Sequence, residues 1–330
     1  MLKQIKFWLN NARYVSLPQS LLPCLLAISL ASGAPDFSWG LSILAVIGVV
    51  LAHFGMNLAD DYFDYKKDNG NVREVLADAG MRSRIAKCSY LTSGEATVKQ
   101  LAIAIAVYLF LASICGGAIL YYRGINVLYI ALIAGFLGIN YSGYPLRLGY
   151  YGLGELLIGI MFGPLLMAGV YLSASGELSE SVTAISCAVG FLVMNIVYTH
   201  AIMDLEPDKA IGKMTLARLF AKRIPMLLWS AVCVFAPFII ISALVYLGMI
   251  STWNLLVLVL LPMAIGLFIS VCKFAYNKPV DLNPKWWMGP MDMWDKVKAA
   301  GIEWFMIRWY MCRNLVTFFC LILIIVNFIV

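Results

Sequence analysis

Nine blocks of mostly apolar residues decide what this chain can fold into. They lie at about 14–33, 39–60, 97–121, 126–144, 152–173, 181–203, 225–249, 252–275 and 311–330. Each is close to the roughly 20 residues that an α-helix needs to cross a bilayer. Charged residues make up only 13% of the 330, about half of what a soluble domain carries. Within lipid the backbone must satisfy its own hydrogen bonds, so blocks of this length read as helices. The short alternating strands of a closed barrel are missing from the pattern. The expectation is an all-α membrane protein with about nine transmembrane helices in a single membrane-embedded domain, 1–330. The first block holds Pro18 and Pro23 and runs almost directly into the second, which reads as a span and not as a cleaved leader.

The cations are sorted by side. Of the 24 lysines and arginines, only Arg123 falls with the short connections near 33–38, 175–180 and 249–252. The rest precede the first block or follow even-numbered ones. The positive-inside rule then places the N-terminus and the long loops, about 61–96, 204–224 and 276–310, in the cytoplasm, and Val330 outside. The expected location is a cell inner (plasma) membrane. The net charge of +6 is a sided property, and no nucleic-acid partner is implied, because no recognition motif accompanies it. The eight cysteines are scattered through apolar blocks without a CxxC pair and read as small buried hydrophobes.

Negative charge gathers at two cytoplasmic helix ends. In NLADDYFDYKKD, on a helix of 3.6 residues per turn, His53, Asn57, Asp61, Asp64 and Asp68 fall on one face with Asp60 beside it. Like charges at this spacing repel, and a helix C-terminus adds an unfavourable dipole. A cation is expected to compensate. The second cluster, YTHAIMDLEPDKAIGKMTLARLF, puts Asp204 and Asp208 one turn apart, with His200 a turn earlier. Oxygen-rich pairs of this kind suit Mg²⁺, which keeps waters and takes further ligands from substrate phosphates. The neighbouring Lys209, Lys213, Arg218, Lys222 and Arg223 would complete an anion site.

On these residues the chain resembles the UbiA superfamily of membrane prenyltransferases. The family's N-D-x-x-D-x-x-x-D motif reads Asp60-Asp61-x-x-Asp64-x-x-x-Asp68 here, with Asp60 where the family has Asn, and its D-x-x-x-D motif reads Asp204-x-x-x-Asp208. NLADDYFDYKKD, YYGLGELLIGIMFGPLLMAGVYL and GKMTLA are most similar to the dihydroxynaphthoate polyprenyltransferases of menaquinone synthesis. That group often has N-N-L-R before the second motif, where this chain has His200-Ala201-Ile202-Met203.

The resemblance implies a UbiA-type intramembrane bundle that transfers a polyprenyl group from its diphosphate to an aromatic acceptor. It implies two Mg²⁺ held by Asp60, Asp61, Asp64, Asp68, Asp204 and Asp208, with Asp64 and Asp208 central to catalysis. Lys209, Lys213, Arg147, Asn57 and Tyr141 are the candidate diphosphate and substrate contacts. Tyr62, Tyr141, Tyr144 and Tyr198 are candidates to face the allylic cation, while Tyr62, Tyr141, Tyr144, Tyr150 and Tyr151 equally fit an interfacial aromatic belt. Glu155 is a candidate to orient the acceptor's hydroxyls or to pair with a nearby cation, and His200 and His53 are candidates to meet the acceptor or for polar packing between helices. Gly152, Gly154, Gly159 and Gly163 read as helix-packing positions. Trp286, Trp287 and Trp294 read as a stretch lying at the interface, and the prenyl tail is expected to lie toward membrane lipid. Hydroxybenzoate, homogentisate, chlorophyllide, haem and isoprenyl-glycerol phosphate remain alternative acceptors. A cation-coupled transporter is the alternative from another class, although its site would sit nearer the midplane.

Overall fold

The computed structural model describes residues 2–68, 88–210 and 212–329. Among them every element is helical, apart from one isolated bridge between Tyr151 and Met214. The principal helices are α1 (Leu2–Asn11), α2 (Pro18–Ala31), α3 (Trp39–Asp68), α4 (Val98–Arg123), α5 (Asn126–Ser142), α6 (Gly154–Ile160) and α7 (Leu166–Ser175). They continue with α8 (Glu180–Met203), α9 (Arg223–Tyr246), α10 (Leu261–Ala275) and α11 (Glu303–Ile329). Eight stretches of the described residues are long and apolar enough to cross a membrane. The ninth expected span, α5, has 17 residues. At 1.5 Å per residue that is about 25 Å, short of the ~30 Å hydrocarbon core.

Contacts gather into two compact units, Met1–Tyr150 with Leu165–Leu178, and Tyr151–Pro164 with Ser179–Val330. In the first, α3 lies along α4, and Gly55 allows the approach: a Cβ there would meet the Leu109 side chain at 2.8 Å. A capping box starts α4, where Thr97 Oγ1 accepts from the Gln100 amide at 3.2 Å and the Gln100 side chain accepts from the Thr97 amide at 2.8 Å. Its other end is Arg123, which donates to the carbonyls of Asp36, Ser173 and Ala174. The single cation counted with the short loops is therefore spent on backbone at that end of the unit.

In the second unit α8 is the buried axis, packed on α6, α9 and α11. Gly159 and Gly163 approach Gly190 so closely that a Cβ on Gly190 would meet the Gly159 carbonyl oxygen at 2.7 Å, as the packing reading expected. Between α6 and α7 the chain makes a π-helical turn, Met161–Leu165, around Pro164, whose missing N–H accounts for the break.

Two expectations are corrected. The last span starts at Glu303, not 311, so Arg308 and Arg313 are helical residues and not loop cations. Their charges are absorbed locally: Arg313 pairs with Asp292 at 2.7 Å, and Arg308 donates to the Ser270 and Trp304 carbonyls. Gly152 is a turn residue with φ +82°, a conformation that disfavours any Cβ, and not a helix-packing position. Tyr198 lies in the core, its hydroxyl donating to the Met226 carbonyl at 2.9 Å.

Candidate active site

The first acidic ladder is one continuous helix, since α3 runs from its apolar half straight through to Asp68. Asp61 and Asp64 are buried and Asp60 is partly so, while the Asp68 side chain lies outside the described residues. The compensating cation comes from 47 residues away. Arg13, in a left-handed turn between α1 and α2, donates to Asp60 Oδ2 at 3.3 Å and to Asp61 Oδ1. Burial alone would pull the Arg13 pKa down, but Asp61 and Asp60 more than reverse this and hold it above its ordinary value. Tyr90 adds a hydroxyl to Asp61 at 3.2 Å, and Ser142 donates to Asp60. Asp64 takes the Tyr150 hydroxyl at 2.5 Å.

Arg13, Tyr90, Ser142 and Tyr150 were not singled out as site residues from sequence. Their partners lie 29 to 86 positions away, beyond any local spacing rule. Tyr150 looks like a member of an aromatic belt until its hydroxyl is seen on Asp64.

Around this ladder Asn57 donates to the Ala12 carbonyl at 2.9 Å, fixing the turn that carries Arg13. His53 sits between the Ser16 and Ser20 hydroxyls at 3.0 and 2.6 Å. Both side chains hold α2 and its preceding turn against α3. Tyr141 is half-buried beside Gly149. The Arg147 guanidinium lies over the Tyr150 ring at 4.2 Å and the Tyr144 ring at 4.8 Å. Its Nε and Nη2 are buried without a hydrogen-bond partner among the described residues. A guanidinium held by two ring faces, with donors to spare, can receive an anion.

In the second unit Asp204 caps α8 and Asp208 follows one turn on, both buried. The loop behind them is tied down by backbone. The Lys213 amide donates to the Asp208 carbonyl at 2.9 Å. Arg218 donates to the Asp208 and Lys213 carbonyls, so this expected anion ligand is a backbone clamp. Lys209 is exposed and Lys213 half-buried. The two stretches YYGLGE and GKMTLA are bound to one another: the Gly152 amide donates to the Met214 carbonyl at 2.9 Å, and Glu155 accepts the Leu216 amide at 3.1 and 3.2 Å. Glu155, expected to orient an acceptor, is thus engaged by the loop of the second motif. His200 packs its ring on Phe305 at 4.7 Å. Among the described residues no three His, Cys, Asp or Glu side chains form a metal-ligating group.

The sequence model of the UbiA prenyltransferase family matches residues 20–294. The chain belongs to this family. It is a prenyltransferase and a multi-pass integral membrane protein. The chain is 30% identical over 247 residues to a 2-carboxy-1,4-naphthoquinone phytyltransferase of Synechocystis, covering 74% of this chain and 72% of that one. It is 26% identical to a 1,4-dihydroxy-2-naphthoate octaprenyltransferase of Bacillus subtilis, covering 75% and 76%. Among solved structures, a digeranylgeranylglyceryl phosphate synthase aligns with a TM-score of 0.63 at 17% identity, covering 98% of this chain and 99% of that one. A UbiA homolog from Archaeoglobus fulgidus bound to DMAPP and Mg²⁺ aligns with a TM-score of 0.61 at 16% identity, covering 94% and 98%. These two share the fold.

Proposed function

We propose that this UbiA-family enzyme transfers a polyprenyl group from polyprenyl diphosphate to 1,4-dihydroxy-2-naphthoate in menaquinone synthesis, with Mg²⁺ as cofactor. One observation carries the reading: each acidic motif buries a pair of aspartates, Asp61 with Asp64 and Asp204 with Asp208. The naphthoate and naphthoquinone prenyltransferases among its relatives support the choice of acceptor. The donor set fits the metal. Mg²⁺ takes hard oxygen ligands, commonly one or two carboxylates completed by water and substrate phosphates, so pairs of carboxylates suffice without a closed protein cage.

Asp60, Asp61, Asp64, Asp68, Asp204 and Asp208 would hold the cofactor, as two ions. Bound there, Mg²⁺ neutralises charge gathering on the departing diphosphate. Lys209 and Lys213 bind outer diphosphate oxygens. Glu155 keeps the loop behind the second motif in place through the Leu216 amide. Arg147 receives the acceptor's carboxylate with its spare donors. The electron-rich ring carbon bearing that carboxylate attacks the allylic carbon and the C–O bond to diphosphate breaks. Carbon dioxide then leaves, its bonding pair returns to the ring, and the aromatic system is restored. No strong protein base is needed at that carbon. The prenyl tail lies in membrane lipid, and the reaction faces the cytoplasm at the inner membrane.

Purified full-length protein, offered geranylgeranyl and longer diphosphates with Mg²⁺ and a panel of acceptors, is expected to yield a demethylmenaquinone-type product by mass spectrometry. Product from another phenol or from a glycerol phosphate, with none from dihydroxynaphthoate, would remove the quinone assignment. Solute transport without any covalent product would remove the enzyme reading.

A further inference from the structure

Arg308 is among the largest fully buried side chains of the protein, with 2% of its surface exposed, and it has no carboxylate within ion-pair distance among the described residues. Burying a guanidinium costs several kcal/mol unless an anion or a full set of acceptors repays it. Two acceptors are present. Nε donates to the Ser270 carbonyl at 3.2 Å and Nη1 to the Trp304 carbonyl. Nη2 donates to nothing among the described residues. The guanidinium carbon lies 4.9 Å from the centre of the Phe274 ring, and Phe274 stacks on Trp304 at 5.8 Å and 5°.

Arg308 is also part of the wall of a cavity of about 180 Å³, together with Phe274, Asn277, Lys278 and Trp304. Lys278 is fixed there by the end of α10. Asn277 takes a left-handed conformation (φ +53°), its amide donates to the Phe274 carbonyl at 3.0 Å, and the Lys278 amide donates to the Lys273 carbonyl at 2.8 Å. That is the Schellman pattern, which stops the helix and turns the next residue back over it. The wall carries two cations and, among the described residues, no acid. Asp281, the one acid of the following turn, is held by Lys285 at 3.3 Å.

The cavity lies where the candidate span Thr252–Ala275 ends and the candidate span Glu303–Ile329 begins, the level at which spans of this length would meet lipid headgroups. Its volume is below the roughly 300–1,000 Å³ of pockets that enclose a whole small ligand, so it suits a headgroup whose chains stay outside.

We propose that this cavity is a phosphate-binding site, in which Arg308 and Lys278 hold the anionic oxygens beside the stacked Phe274 and Trp304 rings, and that its ligand is a phosphodiester of an anionic membrane lipid or free inorganic phosphate. None of its residues belongs to the acidic motifs, and its occupancy is read out without turnover.

Native mass spectrometry of the full-length protein in detergent, with phosphatidylglycerol or diacylglycerol added, tests the lipid source. One phosphatidylglycerol per chain is expected, with diacylglycerol not retained. Lys278→Gln is expected to weaken retention by about fivefold or more, the effect of losing one charge-assisted contact. Arg308→Gln should abolish retention where it folds, and Lys278→Gln, at the end of a helix, keeps the test open where it does not. A rise in melting temperature with 10 mM phosphate in wild type but not in Lys278→Gln, without lipid retention, would assign the site to free phosphate. Equal lipid retention by wild type and Lys278→Gln with no such phosphate effect, or no response to either ligand, would overturn the proposal.

Discussion

Asp61 and Asp64 sit one turn apart on the same helix, yet different partners hold them. Asp61 has a cation, Arg13, and the Tyr90 hydroxyl, while Asp64 has the Tyr150 hydroxyl at 2.5 Å. Replacing Asp64 or Asp208 by Asn keeps shape and removes the charge on which the proposed chemistry depends. Turnover is expected to fall by about 10²-fold or more in each variant, the scale of losing one charge-stabilising group at a reacting centre, with the melting curve still cooperative. Near-normal turnover at low Mg²⁺ would remove that residue from the ligand set. Arg13 would compete with a metal bound as proposed for the same oxygens. Arg13→Gln leaves Asp61 buried without that cation, so the metal-free protein should lose about 1–3 kcal/mol. This is below the ~3–5 of a fully buried pair, because Arg13 is 35% exposed. Added Mg²⁺ should then raise the melting temperature more in Arg13→Gln than in wild type, since a ligand stabilises the folded state more the more tightly it binds it. An equal Mg²⁺ response in both would mean that the Arg13 carboxylates are not metal ligands. The raised Arg13 pKa keeps its stabilisation in force at all pH values below the ordinary arginine range, so Arg13 itself adds no slope to stability between about pH 5 and 9. Arg147→Ala should raise the KM for the acceptor while leaving that for the prenyl diphosphate nearly unchanged. The reverse split, measured by steady-state kinetics, would place Arg147 on the diphosphate.

Helix contacts in the second unit depend on a glycine seam between the α6 half of the fifth span and α8. A side chain at Gly190 would press on the Gly159 carbonyl oxygen, which cannot swing aside as a side-chain tip can. Gly190→Leu should therefore cost at least the ~1–3 kcal/mol of ordinary overpacking, seen as a drop in melting temperature or loss of monodisperse protein in detergent. An unchanged melting temperature would show that the two helices can part without cost. Gly159 and Gly163 were legible in the sequence as a small-residue stripe, and the apolar blocks located the spans because lipid imposes their length. The start of α11 was hidden for a physical reason. Glu303, Arg308 and Arg313 break the apolar run, and only tertiary partners, the Ser270 carbonyl and Asp292, make charge tolerable there. The acidic motifs were legible because their carboxylates sit at fixed helical spacing. Arg13 and Tyr150 were not, because each reaches its aspartate from a distant segment. The Glu155 contact was hidden for a similar reason: its partner is a backbone amide 61 residues on, which no side-chain pattern records.

Sidedness is a property of the whole chain, and its test bears on the proposed reaction. Of the 24 cations only Arg123 lies with the short connections, and it is consumed by three backbone carbonyls, so it contributes little free charge there. The positive-inside rule predicts that both acidic motifs lie on the cytoplasmic side. A prenyl diphosphate is a highly charged soluble headgroup on a lipid tail, and both motifs can serve it only if both open to the same compartment. Glu95 and Glu206 are exposed near the two motifs, and Leu178 is exposed in a connection of the other class. Single cysteines at these positions can be probed with a membrane-impermeant maleimide in sealed vesicles of known orientation. Wild type sets the background, since six of its eight cysteines are buried and Cys187 and Cys272 are partly so. Glu95→Cys and Glu206→Cys are expected to react from the cytoplasmic side only, and Leu178→Cys from the opposite side only. Labelling of Glu95→Cys and Glu206→Cys from opposite faces would put the two aspartate pairs in different compartments, and no single diphosphate could then engage both.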